Sequence, residues 1–145
     1  MSINIISFNF NNKTLTEKAF KIRETVFIKE QNVPKDMEYD EFDEKAIQFL
    51  IFNNEIPVGT SRYRTTTKGI KLERFAILKE HRKKGFASQL LKFMLEKVNG
   101  KNQKIYLFAQ INAVNFYKKH NFTIIDDEFI ETGIVHYEMD YVKPE

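Results

Sequence analysis

Arg82-Lys83-Lys84-Gly85-Phe86-Ala87 sets three cations and a glycine where a strand pattern gives way to a helical one. The first backbone amides of a helix point outward without internal acceptors, and the helix dipole adds partial positive charge there. A glycine lets a ligand approach the backbone closely, and flanking cations add attraction, so the chemistry implied is a grip on phosphate. The segment is neither a Walker loop, since no Gly-Lys-Ser/Thr follows, nor a Gly-x-Gly-x-x-Gly turn. Read alone, it is equally a structural basic turn. An opposite patch, Asp36 to Glu44, carries six carboxylates and no base. It would either attract a cationic partner or form a solvated loop. It does not fit a calcium loop, because Glu41 stands where glycine is required. His81, His120 and His136 lack His-x-x-x-His spacing, so no metal site is expected. With no cysteine, disulfides, Cys-zinc sites, iron–sulfur clusters and thiol nucleophiles are excluded.

The elements that must position these groups follow from periodicity. Ile3, Ile5, Phe8 and Phe10 suggest a first strand. Thr14-Leu15-Thr16-Glu17 matches a capping box, and Leu15, Ala19, Ile22 and Val26 form a helical stripe that should end near Gln31, because Pro34 disfavours helix at Val33. Ala46–Phe52 and Ile56–Thr66 flank Asn53-Asn54 as a hairpin. In Ile70–Leu78 the apolar positions change parity, from Ile70 and Leu72 to Phe75 and Ile77. One extra residue, a β-bulge, accounts for that, as would burial of both faces. Ala87, Leu90, Leu91, Met94, Leu95 and Val98 make a second helix ending at Asn99-Gly100. Lys104–Ala109 reads as a strand. A short helix with Ala113, Phe116 and Tyr117 ends in Lys118-Lys119-His120, and Asn121 suits a left-handed cap. Phe122–Asp127 and Ile134–Tyr141 face each other across Glu131-Thr132-Gly133. The result is a mixed α/β chain of 145 residues, 42% hydrophobic, with net charge +3. That length fits one domain, 1–145.

Two blocks make the pattern recognisable. Arg82, Gly85 and Ala87 fill the fixed positions of Arg/Gln-x-x-Gly-x-Gly/Ala, which resembles the acyl-CoA motif of the GNAT N-acetyltransferase superfamily. Ala113-Val114-Asn115-Phe116-Tyr117-Lys118-Lys119-His120-Asn121-Phe122 is similar to its Ala-x-x-Phe-Tyr-x-x-x-Gly-Phe segment. Arg23 to Pro34, Ala109-Gln110 and Gly133-Ile134-Val135-His136 resemble the ElaA/YjcF-like branch. Departures are Asn121 for Gly, Gln110 where Asn is common, and Val135 for Pro.

The resemblance implies a GNAT-like α/β fold: a mixed, mostly antiparallel central sheet of about seven strands, flanked by helices, with a β-bulge in the fourth. It implies transfer of an acetyl group from acetyl-CoA to a primary amine of a small molecule or peptide, by direct attack. The amides of Lys84, Gly85, Phe86 and Ala87 would hold the pyrophosphate, assisted by the side chains of Arg82 and Lys83 or Lys84, and Ser88 would belong to the same cofactor site. Phe75, Ala76 and Ile77 would pair with the pantetheine arm, and Gln110 would also contact the cofactor. Tyr117 would protonate the leaving thiolate, unless it is only a packed helix tyrosine. Glu73 is a candidate general base or a strand-face ion pair. Glu30 and Gln31 would line the acceptor pocket or merely end a helix, and His136 would join them if a pocket lies there.

A non-catalytic acyl-CoA sensor is the rival reading. Nucleic-acid binding is disfavoured, because the basic run lacks interleaved aromatics. No apolar run is long enough for a membrane span, and the N-terminus has no secretory pattern, so a cytoplasmic monomer or homodimer is expected.

Overall fold

A computed structural model of the chain describes residues 2–144. Strand β1 (Ile3–Asn9) leads into helix α1 (Lys13–Arg23). Its cap is Asn12, whose Oδ1 accepts the Leu15 amide at 3.1 Å. Asparagine caps as well as threonine and comes earlier, so it displaces the expected capping box. The Thr16 hydroxyl turns instead to the Phe10 carbonyl. The helical path continues to Glu30 but widens to π-helical pitch over Glu24–Glu30, which the apolar stripe alone did not reveal. After Pro34 come a single turn, α2 (Lys35–Glu38), and a 3-10 turn at Glu41–Glu44.

Strands β2 (Ile47–Asn53), β3 (Ile56–Thr66) and β4 (Gly69–Ile77) form an antiparallel meander with β1. Helix α3 (Phe86–Val98) crosses over to β5 (Ile105–Gln110), which runs parallel to its neighbour β4. Helix α4 (Val114–Lys119) leads to β6 (Phe122–Ile124), β7 (Phe129–Glu131) and β8 (Ile134–Tyr141). The order is β1-β2-β3-β4-β5-β8-β6, with β7 also on β8. Eight strands therefore fill seven positions, as β6 and β7 follow one another along one edge of β8. The single strand expected at Phe122–Asp127 is broken: after Ile125 donates to the Glu138 carbonyl, Asp126–Glu128 leave the ladder. Thr132 (φ 51°) and Gly133 (φ 77°) then make the hairpin turn, whose left-handed pair matches the strand twist.

Each face of the sheet has its own core. On one face Leu90, Leu91 and Met94 of α3, with Val114 and Tyr117 of α4, pack on Ile70, Leu72, Ile105, Leu107 and Met139. On the other, Ala19 and Ile22 of α1, with Val26 and Phe27, pack on Leu50 and Ala76. Pairing between β3 and β4 passes from Arg62↔Glu73 to Thr60↔Ala76, so Arg74 and Phe75 oppose Ser61 alone. Arg74 is left-handed at φ 57°. This is the expected bulge, and it moves Phe75 and Ile77 to the α3 face that Ile70 and Leu72 occupy.

The acidic stretch is neither a solvated loop nor an open cation trap. Glu38 and Asp43 are buried with Arg23, which reaches both at 2.8 Å. Arg62, 0% exposed, joins Asp40, Asp43 and Glu73, and Arg74 ties back to Glu38 and Asp40. The missing bases come from α1, β3 and β4, which no local reading of Asp36–Glu44 could supply. Of the carboxylates in that run, Asp36, Glu41 and Glu44 stay exposed.

Candidate active site

Strands β4 and β5 pair only through Ile70↔Ile105, Lys71↔Tyr106 and Leu72↔Leu107. Beyond Leu72 the bulge bends β4 away, while β5 continues against β8 to Gln110↔His136. A wedge opens between them. The backbone of Phe75–Ile77 keeps β3 on one side and, among the described residues, has no strand on the other. An extended ligand can complete such an edge as an added strand does.

At the wide end of the wedge, a 3-10 turn (Lys79–His81) delivers the chain to α3. Lys83 (φ 63°) and Gly85 (φ 86°) are both left-handed, and Gly85 caps α3 with no side chain bonding its first amides. A Cβ placed on Gly85 would meet nothing within 4 Å. The Phe86 ring, 1% exposed, anchors this start in the core, while Lys83 and Lys84 face solvent. Uncapped amides, a left-handed glycine under open space and two free lysines fit the diphosphate of a CoA ester.

Arg82 has a different immediate partner. Its Nε donates to the Ile77 carbonyl at 2.9 Å, and its two terminal nitrogens reach Glu30 at 2.6 and 2.7 Å. It clasps the π-helical turn to the end of β4 and keeps two of five N–H groups for an anion. The bond from Arg82 holds the Glu30 carboxyl below its ordinary range. Ser88 Oγ lies 2.8 Å from His120 Nε2, so the first turn of α3 is tied to the end of α4. Nothing in the sequence pattern pointed to His120. Burial, and then Lys92, lower its pKa.

Tyr117 projects from α4 toward the wedge. Its ring meets Phe75 edge-on at 6.2 Å and touches Phe116 and Phe122. The residue is 8% exposed. Burial raises its pKa, which leaves the phenol protonated at neutral pH. Among the described residues the hydroxyl has no protein hydrogen-bond partner and is not a buried orphan.

The opposite face carries the remaining candidates. Glu73 faces Arg62 at 3.0 Å, Arg64 at 2.7 Å and Lys71 at 3.0 Å. Burial would raise its pKa, but these cations outweigh it and hold the carboxyl at about 2. Such a group binds protons too weakly to take one from an ammonium, so the strand-face ion pair describes it. Gln110 Nε2 donates to Gln31 Oε1 at 2.9 Å, bridging the end of β5 to the end of the π-helical turn. His136 pairs with Gln110 across the ladder, is 6% exposed, bonds the Ile134 carbonyl through Nδ1 and stacks on Phe129 at 5.7 Å. Glu30, Gln31, Gln110 and His136 thus lie at or beside the wedge. Among the described residues, no group of three or more His, Asp or Glu side chains could hold a metal ion.

Comparison with known proteins agrees with this geometry. Residues 11–143 match the acetyltransferase (GNAT) domain family. YjcF of Bacillus subtilis (strain 168), an uncharacterized N-acetyltransferase, is 40% identical over 131 residues, covering 88% of this chain and 93% of YjcF. The crystal structure of Escherichia coli ElaA superposes with a TM-score of 0.87 at 21% identity, covering 97% of this chain and all of ElaA. A GNAT family acetyltransferase from Elizabethkingia anophelis, solved with acetyl-CoA bound, superposes at 0.68 with 16% identity, covering 95% and 94% of the two chains. A wedge between parallel strands, a glycine-opened helix and a buried tyrosine between them are thus the features of a chain that belongs to the GNAT acetyltransferase family.

Proposed function

We propose that the chain transfers the acetyl group of acetyl-CoA to a primary amine by direct attack, with both substrates bound together. The observation that carries this reading is the convergence on one wedge of the uncapped α3 start, the unpaired edge Phe75–Ile77 and the Tyr117 hydroxyl. Acetyl-CoA supplies an activated acyl carbon: the amine's C–N bond forms there as the C–S bond breaks and the thiolate leaves with the electron pair.

The amides of Lys84 to Ser88 and the lysine side chains hold the diphosphate. The edge Phe75–Ile77 aligns the pantetheine arm, and one of its amides polarises the thioester carbonyl, an effect worth roughly 2.7–4 kcal/mol elsewhere. Tyr117 donates its proton to the sulfur. The attacking nitrogen approaches from the face of Gln31, Gln110 and His136, opposite Tyr117, which keeps proton donor and nucleophile on separate sides. A lysine-like amine, with a pKa of ~10.4, sheds its proton to water on that open face, because Glu73 is spent on cations. The acceptor is a small molecule or a peptide amine.

Thiol release from acetyl-CoA across an amine panel tests the reading. Amine-dependent release, with acetylated product of matching mass, is expected. Tight acetyl-CoA binding without release for any amine would instead favour a sensor.

A further inference from the structure

Ser88 and His120 join the two helices that flank the wedge. Gly85 caps α3, and the Gln89 amide is the first to find a helical acceptor, the Gly85 carbonyl at 3.1 Å. The Ser88 amide is therefore among those left for a ligand, and its hydroxyl belongs to the same first turn. That hydroxyl lies 2.8 Å from His120 Nε2, at the C-terminal end of α4. The His120 amide in turn donates to the Tyr117 carbonyl at 2.9 Å. The Phe116 ring packs on the imidazole at 4.9 Å, and among the described residues His120 Nδ1 has no protein hydrogen-bond partner.

Which atom carries the hydrogen decides what Ser88 can do. If Nε2 is bare, the serine hydroxyl donates to it and presents only lone pairs to a ligand, which repel an anion. If Nε2 carries hydrogen, it donates to Oγ and frees the serine O–H to donate onward. An imidazolium always presents that hydrogen, whereas a neutral ring does so in one of its two tautomers. In the free protein the cationic ring is disfavoured by burial, and then by Lys92, one turn along α3 from Ser88. On its own helix His120 follows Lys118 and Lys119, both exposed, and Asn121–Ile124 beyond it carry no charge. The ring thus stands among cations, and among the described residues it forms no ion pair with a carboxylate.

We propose that His120 is a positioning residue of the cofactor site: it donates through Nε2 to Ser88 Oγ, and the Ser88 hydroxyl donates to a diphosphate oxygen of acetyl-CoA. The inference rests on the acetyl-CoA reading for the identity of that anion. The diphosphate supplies the negative charge that the ring lacks, so binding favours the imidazolium and takes up a proton. The added affinity is therefore greatest below the pH at which the bound ring titrates, and declines as pH rises through it.

Calorimetry of acetyl-CoA binding to the full chain, at about pH 6 and about pH 8, tests this relay. At the lower pH, His120→Leu should bind about 10-fold more weakly than the parent, and Ser88→Ala about as weakly. Combining the two should cost no more than either alone, because they break one relay. His120→Gln keeps an N–H near the place of Nε2 but cannot titrate. It should retain most of the parent's affinity at the higher pH and lack the parent's rise toward the lower one. S-Acetylpantetheine, which has no diphosphate, should bind the parent and all these variants equally. Parent-like affinity in His120→Leu at the lower pH would overturn the relay and leave acetyl transfer standing. An equal loss for S-acetylpantetheine would do the same, since helix packing alone causes it. The expected binding pattern without thiol release from any amine would leave the relay standing and overturn acetyl transfer.

Discussion

Tyr117 sits among aromatic edges with its hydroxyl unclaimed, so removing that oxygen should cost chemistry and little packing. Tyr117→Phe is expected to lower kcat by at least about 10-fold, within the range of general acid catalysis softened by water. Acetyl-CoA affinity by calorimetry should stay within about twofold, because no part of the diphosphate grip is touched. The comparison requires saturating amine and a chemical step shown to limit turnover. An unchanged rate under those conditions reduces Tyr117 to core packing. Gly85 bears on the other end of the same ligand. Gly85→Asp puts a carboxylate into the open space over the amides and should weaken acetyl-CoA binding by more than about 100-fold. The melting temperature should move only slightly, since Asp tolerates left-handed backbone better than most residues. Parent-like binding would relocate the phosphate site.

At the scale of elements, the bulge and the buried ion network work together. Arg74 is the left-handed bulge residue, and its guanidinium reaches Glu38 and Asp40. The loop after the π-helical turn is thereby fastened to the strand that bends away from β5. Arg62 bonds three carboxylates from β4 and that loop. Arg62→Met should destabilise the fold by about 3–5 kcal/mol, the cost of leaving buried carboxylates unpaired. The exposed pair Lys29–Glu24, at 3.5 Å, is the control: Glu24→Gln should change stability by less than about 1 kcal/mol. Urea denaturation measures both, and similar losses would mean that burial does not distinguish the two pairs.

For the molecule as a whole, the network sets the response to acid. Glu73 is held at about 2 when folded, against 4.5 as its ordinary value. Asp40 and Asp43 are lowered too, because bonds from Arg62 and Arg23 outweigh burial, whereas burial raises Glu38. Glu73 binds its proton more weakly folded than unfolded. Its stabilisation is therefore complete above about pH 4.5 and is lost as pH falls toward 2, an effect on the order of 3 kcal/mol. Circular dichroism from pH 6 to 2 should show the parent losing stability through that window and Glu73→Gln losing less. Superimposable profiles would remove Glu73 from the account of acid unfolding.

Much of this was legible in the chain itself, wherever the determinant was local. The parity change between Leu72 and Phe75 announced the bulge, because side-chain alternation in a strand is a property of neighbours. Gly85 ahead of an apolar helical period marked where α3 begins with its amides uncapped, because the free amides of a helix belong to its own first turn. The block around Tyr117 suggests a proton donor only through its resemblance to the family's motif, and that role belongs to the proposed function. What only tertiary structure decided depends on residues far apart. Asp36–Glu44 looks unbalanced until α1, β3 and β4 bring Arg23, Arg62 and Arg74 to it, and Glu73 looks like a base until Arg62 and Arg64 of β3 join Lys71 around it. Arg82 looks like a free cation until Glu30, 52 residues away, takes one N–H from each of its terminal nitrogens and leaves two for an anion. The pairing of charges, and hence which carboxylate is free to act, is settled by distances across the fold and not by spacing along the chain.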